Sequence, residues 1–245
     1  MSEARKRKRS RRVLVGVFKC SGGLLLILCI LSAAEVLWIR FYNPSFTLWM
    51  GWQWLSSRVL SERPEGPYVM PSLYWRNLKQ ISPYLIQAVL AGEDQRFLSH
   101  RGFDLVEMQD ALEEMLASGR RRGASTITMQ AARTVFLWPS RNWPRKILEA
   151  YYTVLLELLW DKRRILEVYV NTVDWGDGIA GAESAAKNYF RKSSSGLTPS
   201  EAALLAAVLP NPHSWSPVQP SGVVKERQRR ILRDMDKMPA SRLQR

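Results

Sequence analysis

Residues 82 to 94 read Ser82-Pro83-Tyr84-Leu85-Ile86-Gln87-Ala88-Val89-Leu90-Ala91-Gly92-Glu93-Asp94. Serine followed by proline marks a helix start: the serine can cap, and proline at the first helical position gives up no intrahelical hydrogen bond. Leu85, Ile86, Val89 and Leu90 then repeat at helical spacing, and Gly92 offers a stop. The stretch predicts a helix that delivers Glu93 at its end. The same pattern continues outward. Asp104 with Glu107 makes a capping-box-like start for a stripe of Leu105, Met108, Leu112 and Met115 before Gly119. Ser125 caps a run to about Leu137, and Pro144 opens a long helix whose apolar face is Ile147, Leu148, Tyr151, Leu155, Leu158 and Leu159. Further helical patterns cover about 162–171, 181–190, 199–209 and 223–235, with no sustained alternation of period two, so the fold class is mainly α.

At 245 residues the chain holds one well-packed domain and an anchor, and 46% hydrophobic with 24% charged residues excludes general disorder. The formal net charge is +14. Arg5, Lys6, Arg7, Lys8, Arg9, Arg11 and Arg12 stand against Glu3 in the tail, and the rest of the chain is still basic. A body of that sign favours phosphates, nucleic acid or an acidic membrane surface, and charge alone does not choose.

Val13 to Ile39 is strongly apolar, with Lys19 and Glu35 near its ends where they can snorkel toward water. With the tail cations on its N-terminal side, the positive-inside rule keeps residues 1–12 in the cytoplasm and exports everything after about residue 40. A cleaved signal peptide is the competing reading, since Ser32-Ala33-Ala34 suits a signal peptidase. The rings that follow, Phe41, Tyr42, Phe46, Trp49, Trp52 and Trp54, favour an anchor with a headgroup-level belt, or else an ordinary buried helix. Cys20 and Cys29 both lie in the apolar segment, so the exported part has no disulfide. Glu62-Arg63-Pro64-Glu65-Gly66-Pro67 and Pro71 mark a linker.

Three clusters could do chemistry. Glu93-Asp94 leads through Phe97 and His100 to Gly102; a carboxylate at a helix end beside apolar residues suits proton transfer, although acids followed by Arg96 also make ordinary surface ion pairs. In Gly123-Ala124-Ser125-Thr126-Ile127-Thr128-Met129-Gln130, a helix starting at Thr126 aligns Thr126, Gln130 and Arg133 on one face, with Ser125 and free amides at its N-terminus. That edge fits a phosphate or sugar, or is a solvated face. Arg145 and Lys146 oppose the dipole in the first turn of the long helix, which points to a diphosphate attractor; Glu149 fixes them or is a plain ion-pair partner.

Other chemistry is poorly supported. His100 and His213 lack metal-ligand spacing, and Ser184-Ala185-Ala186-Lys187 has no partner motif of the penicillin-reactive enzymes. Glu183 and Glu201 read as helix-start carboxylates, and Asp161 as the cap of a second helix. Arg120-Arg121-Arg122 between Gly119 and Gly123 reads as a solvated loop or a lid.

In this order, Glu93 to Gly102, Gly123 to Gln130, Arg145 to Glu149, Lys162 to Asn171 and Leu209-Pro210-Asn211-Pro212 resemble the successive motifs of the peptidoglycan glycosyltransferases, over about residues 76 to 235. With Arg245 as the last residue, the arrangement resembles the monofunctional enzymes. The resemblance implies a lysozyme-like helical large lobe, a smaller membrane-proximal lobe, and polymerisation of lipid II into β-1,4-linked glycan with release of undecaprenyl diphosphate. It implies Glu93 as general base and Glu149 as second catalytic carboxylate. Substrate contacts are implied at Asp94, Phe97, His100, Ser125, Thr126, Gln130, Arg133, Arg145 and Lys146. The family's Thr-Gln-Gln is here Thr128-Met129-Gln130 and its Lys-Asn is Arg133-Thr134, which changes the geometry of one phosphate contact.

The sequence itself requires no cofactor; the resemblance admits a divalent cation, Mg or Mn, at Glu149. The division expected is a basic cytoplasmic tail (1–12), a transmembrane anchor (13–39), a membrane-proximal segment and linker (40–75), a glycosyltransferase domain (76–237) and a C-terminal tail (238–245). The expected location is the cytoplasmic (inner) membrane with the catalytic domain on its periplasmic side. Expected partners are lipid II, the growing glycan, membrane lipid and cell-division or elongation proteins, and no nucleic acid. Two other readings are a lytic glycan-cleaving enzyme, which has no need of Arg145 and Lys146, and a non-catalytic basic membrane-tethered binding module.

Overall fold

The computed structural model describes residues 3–59, 72–119, 123–140 and 142–244, with side chains described from Lys19 onward except at Ser57. The expected linker at 62–71 and the Arg120-Arg121-Arg122 loop lie outside the described residues. The chain divides into two units, Met1–Tyr42 and Asn43–Arg245. The first is helix α1 (Glu3–Phe41), in which Lys19–Phe41 is long and apolar enough to cross a membrane.

The second unit is built almost wholly of helices: α2 (Leu48–Val59), α3 (Pro83–Glu93), α4 (Leu105–Ser118), α5 (Ile127–Phe136), α6 (Trp143–Leu159) and α7 (Lys162–Thr172). A two-stranded antiparallel ribbon, β1 (Asp174–Gly176) and β2 (Ile179–Ala180), precedes α8 (Ala182–Phe190), α9 (Pro199–Val208), α10 (Gly222–Met235) and α11 (Ala240–Gln244). The ribbon is too short for alternation to register in the sequence, yet it buries Trp175 completely, with Nε1 donating to the Leu205 carbonyl at 3.0 Å.

The centre is α9, apolar all round, with α3 and α10 packed against it. Gly92 does not end α3; the helix runs on through Glu93. Its lack of a side chain permits close approach instead, since a Cβ there would meet Ile231 Cδ1 at 3.1 Å and Ala206 Cβ at 3.8 Å. The Ser82 hydroxyl likewise does not cap α3: it donates to the Leu197 carbonyl at 2.9 Å, and Pro83 leaves one fewer amide to satisfy.

A second packing group joins α5 to α6 and α7, and α2 rests on α5. Thr126, one residue beyond the expected Ser125, caps α5 by accepting from Met129 N at 3.2 Å. Asp104 caps α4 through Val106 N and Glu107 N, and Asp161 caps α7 through Arg164 N. Asn142 caps α6, so that helix begins at Trp143, ahead of Pro144. The stretch expected as a C-terminal tail contains α11: Leu243 is buried, and Gln244 Nε2 donates to the Leu78 and Ile81 carbonyls at 2.8 and 2.9 Å.

The region after the linker is fastened by Glu183. Burial pushes its carboxyl pKa up, but Arg76 at 3.1 Å and the Ser194 amide and hydroxyl outweigh burial and hold it at about 2.

Two helices are inverted relative to a water-soluble fold. On α6 the buried residues are Arg145, Glu149, Thr153 and Leu156, while Trp143, Ile147 and Leu158 are 82%, 66% and 74% exposed. On α4 only Ala111 is buried, and Leu105 and Leu116 are 73% and 75% exposed. The stripes read from the sequence are real, but they face outward. Exposed apolar surface on this scale marks an interaction face, for a membrane or for another protein. On α2, Met50 is buried while Trp52, Trp54 and Leu55 are exposed, so the belt helix is neither free of the domain nor enclosed by it.

Candidate active site

Glu93 occupies the last turn of α3, and its carboxylate is held on both oxygens. Gln130 Nε2, from α5, donates to Oε2 at 2.9 Å; Arg227 Nη2, from α10, donates to Oε1 at 2.7 Å and to the Gly92 carbonyl at 2.8 Å. Tyr169 on α7 donates its hydroxyl to Gln130 Oε1 at 3.1 Å, which turns the amide NH2 toward Glu93. Three helices thus meet at one carboxylate whose side chain is 10% exposed, with α7 backing Gln130. Burial raises its pKa, opposed by Arg227, the Gln130 hydrogen bond and the charge of Arg133. An oriented, largely desolvated carboxylate with lone pairs to spare is equipped to take a proton from a hydroxyl. Tyr169 is fully buried, and burial followed by the charge of Glu93 pushes its phenol well above the usual range, so it acts as a neutral donor.

The loop after Glu93 does internal work. Asp94 accepts from Ile127 N at 3.0 Å and pairs with His100 Nε2 at 2.9 Å, tying the loop to the N-terminus of α5. Thr126 donates to the Gly102 carbonyl at 2.6 Å. Gly102 has φ +85°, and a Cβ there would stand 2.7 Å from Thr153 Cγ2, so only glycine lets the loop lie against α6. Phe97 packs below, with Lys162 Nζ 4.5 Å from its ring centre. Four residues expected as substrate contacts, Asp94, Phe97, His100 and Thr126, are therefore buried and committed to protein partners, because the loop needs them to hold Glu93 and α5 in register. His100 Nδ1 is a buried nitrogen with no partner. Ser125 and Gln130 remain half-buried at the edge of α5.

On the first two turns of α6, Glu149 is fully buried and receives Arg145 Nη1 on Oε2 and Lys146 Nζ on Oε1, both at 2.7 Å. Arg145 is itself buried, whereas the Lys146 side chain is 43% exposed. Two cations against one carboxylate leave a single positive charge beside amides at the helix N-terminus, which suits an anion. With both Glu149 oxygens taken by cations, the residues present do not by themselves make the divalent-cation site that the resemblance admits. Among the described residues, one group of three ligating side chains lies close together, Asp94, His100 and Asp104, with ligand atoms within 4.8 Å. Its carboxylate oxygens are taken up by His100, Ile127 N, Val106 N, Glu107 N and Arg96, so it is a structural cluster.

Sequence reading missed Arg227 and Tyr169. Arg227 sits among Arg229, Arg230 and Arg233 and looks like one more surface cation. The signal was spacing: Val224, Ile231 and Met235 form the buried stripe of α10, and Arg227 falls on it.

A family profile described as Transglycosylase matches residues 69–236. A protein of Shewanella oneidensis named biosynthetic peptidoglycan transglycosylase is 45% identical over 219 residues, 89% of this chain and 91% of that protein. Proteins of the same name are 44% identical over 218 residues in Stutzerimonas stutzeri (89% of this chain, 88% of that protein) and 51% identical over 161 residues in Rhodospirillum centenum (66% and 70%).

Proposed function

The chain belongs to the transglycosylase family, and we propose that Glu93 and Glu149 divide its chemistry, one as the base and the other as the organiser of a diphosphate site. The reaction is polymerisation of peptidoglycan glycan strands from lipid II, forming β-1,4 links and releasing undecaprenyl diphosphate. Glu93 takes the proton of the acceptor sugar's 4-hydroxyl as O4 bonds to the donor's anomeric carbon. The bond from that carbon to the diphosphate oxygen breaks, and the electron pair leaves with the diphosphate. Arg145 and Lys146, braced by Glu149, stabilise that developing charge, with Arg133 adding charge from the α5 side.

The observation that carries this reading is the pairing of a doubly held carboxylate on Glu93 with a separate buried carboxylate that spends itself on two cations. A lytic enzyme has no use for the second group, and the relatives are named as biosynthetic. The outward apolar faces of α4 and α6 support a membrane-proximal lobe where a lipid-linked substrate is reached without leaving the bilayer. The basic N-terminal end of α1 supports an inner-membrane location with the catalytic domain on the periplasmic side. Recruitment by a division or elongation protein fits that location.

Purified full-length chain incubated with labelled lipid II should give a glycan ladder. Glu93→Gln should lower the rate by at least about 10²-fold, the usual worth of a positioned base. A ladder of undiminished rate in that variant would falsify the assignment of the base.

A further inference from the structure

We infer that a cavity between the loop after α3 and the C-terminal helix α11 binds the carboxylate of a short apolar group, as at the free end of a peptide chain. The cavity has a volume of about 230 Å³ and is walled by two segments far apart in sequence. Leu90, Phe97 and Leu98 come from the end of α3 and the loop that follows it, and Pro239 from the turn before α11. These four make an apolar lining in which Leu90 and Phe97 are buried and Leu98 is partly open to solvent. Arg96 and Arg242 supply the charge, and no acidic side chain lines the cavity. Pro239 and Arg242 lie beyond residue 236, where the match to the family profile ends, so this wall belongs to none of the motifs that carry the family resemblance.

Both walls are fixed. In the loop, Phe97 N donates to the Asp94 carbonyl at 3.2 Å, and the Ser99 amide and hydroxyl both donate to the Arg96 carbonyl at 2.8 Å. Opposite, Arg242 N donates to the Pro239 carbonyl at 3.1 Å, while buried Leu243 and the two hydrogen bonds of Gln244 pin α11 to the body. The charge is available to a ligand. Arg96 gives its Nε to Asp104 Oδ2 at 3.3 Å, and Asp104 Oδ1 already accepts from the Val106 and Glu107 amides. Among the described residues, the terminal nitrogens of Arg96 and the whole guanidinium of Arg242 have no protein partner, so the two arginines and Asp104 leave one positive charge unmatched. Guanidinium groups with free N–H donors hold a carboxylate by paired hydrogen bonds. An inorganic anion would leave the apolar lining unused, and an uncharged apolar group would leave the arginines unmatched. The volume is below the roughly 300–1,000 Å³ of sites that enclose a drug-sized ligand, so a terminal residue fits and a whole lipid-linked sugar does not. Leu90 stands one helical turn before Glu93 and Arg96 three residues after it, so an occupant touches both flanks of the segment that presents that carboxylate. A link from this cavity to catalysis rests on the reading of Glu93 as the base; binding itself does not.

The test titrates N-acetyl-leucine and its amide into the full-length chain in detergent micelles, following saturation transfer to the leucine methyl groups by NMR, with inorganic phosphate as competitor. The acid should bind with a Kd of about millimolar, as expected of a ligand of this size, and the amide about tenfold more weakly. Arg242 is exposed and without a protein partner, so Arg242→Gln should fold normally, lower the affinity for the acid to about that for the amide, and leave the amide unchanged. Equal affinities for acid and amide, an acid affinity unmoved in Arg242→Gln, or displacement of the acid by equimolar phosphate would each overturn the inference. Polymerisation of lipid II whose peptide ends in a carboxylate or in an amide then identifies the source of the end. A KM about tenfold lower for the carboxylate, lost in Arg242→Gln, assigns it to the peptide of the substrate itself; equal KM values beside intact binding of acetyl-leucine assign it to a separate chain, and either result upholds the cavity's preference. Absence of any ladder from wild type would strike the polymerase reading and leave the binding result standing.

Discussion

At the scale of single residues, the candidate site is a set of donors trained on acceptors that the sequence names only in part. Tyr169 touches neither glutamate, yet its hydroxyl determines which end of the Gln130 amide faces Glu93. Tyr169→Phe should therefore lower kcat by about fivefold, the equivalent of a net hydrogen bond worth about 1 kcal/mol, with KM for lipid II little changed. Steady-state kinetics separates the two parameters; a raised KM with unchanged kcat would show that Gln130 serves binding instead. Glu93, Gln130, Arg145, Lys146 and Glu149 were legible because their order and spacing are distinctive. Arg227 and the internal duties of Asp94, His100 and Thr126 were not, since a residue type fixes what a side chain can bond to and not where its partner will be.

Elements obey the capping and propensity rules closely, and the discrepancies have local causes. Thr126 rather than Ser125 caps α5, its hydroxyl accepting from Met129 N while donating to the Gly102 carbonyl. Gly92 looks like a stop and proves to be a contact point. The β ribbon is secured to the segment after α9 by His213, whose Nε2 lies 2.7 Å from Asp174 Oδ2 and Nδ1 2.8 Å from Asp177 Oδ1. Bonding to Asp174 above all, reinforced by Asp177, raises the imidazole pKa to about 9. A raised folded-state pKa means the contribution is full below the ordinary value of 6.5 and lost as pH rises through about 9. Thermal unfolding of wild type and His213→Gln should accordingly differ most at or below about pH 6.5 and converge above about pH 9. A gap independent of pH would mean that packing, not the charge, secures the ribbon. With the side chain 41% exposed, solvent screening keeps this gap small.

For the molecule as a whole, the decisive feature is where apolar surface goes. Leu158 and Ile147 project from α6 with little packed against them, so Leu158→Glu should change folding stability by no more than about 0.5 kcal/mol. In lipid vesicles carrying the full chain, a nitroxide at position 158 should be relaxed by oxygen more than by a water-soluble nickel chelate. The opposite preference would put α6 in water and remove the case for a membrane-proximal lobe. The sequence by itself determined the helical class, the apolar N-terminal span, and the order of motifs that identifies the family, because each is written in local spacing and composition. Only the tertiary structure decided that α6 turns Arg145 and Glu149 inward and Ile147 and Leu158 outward, and that α10 reaches back to hold Glu93. Periodicity specifies that a helix has two unlike faces; which face is buried depends on what the rest of the chain packs against it.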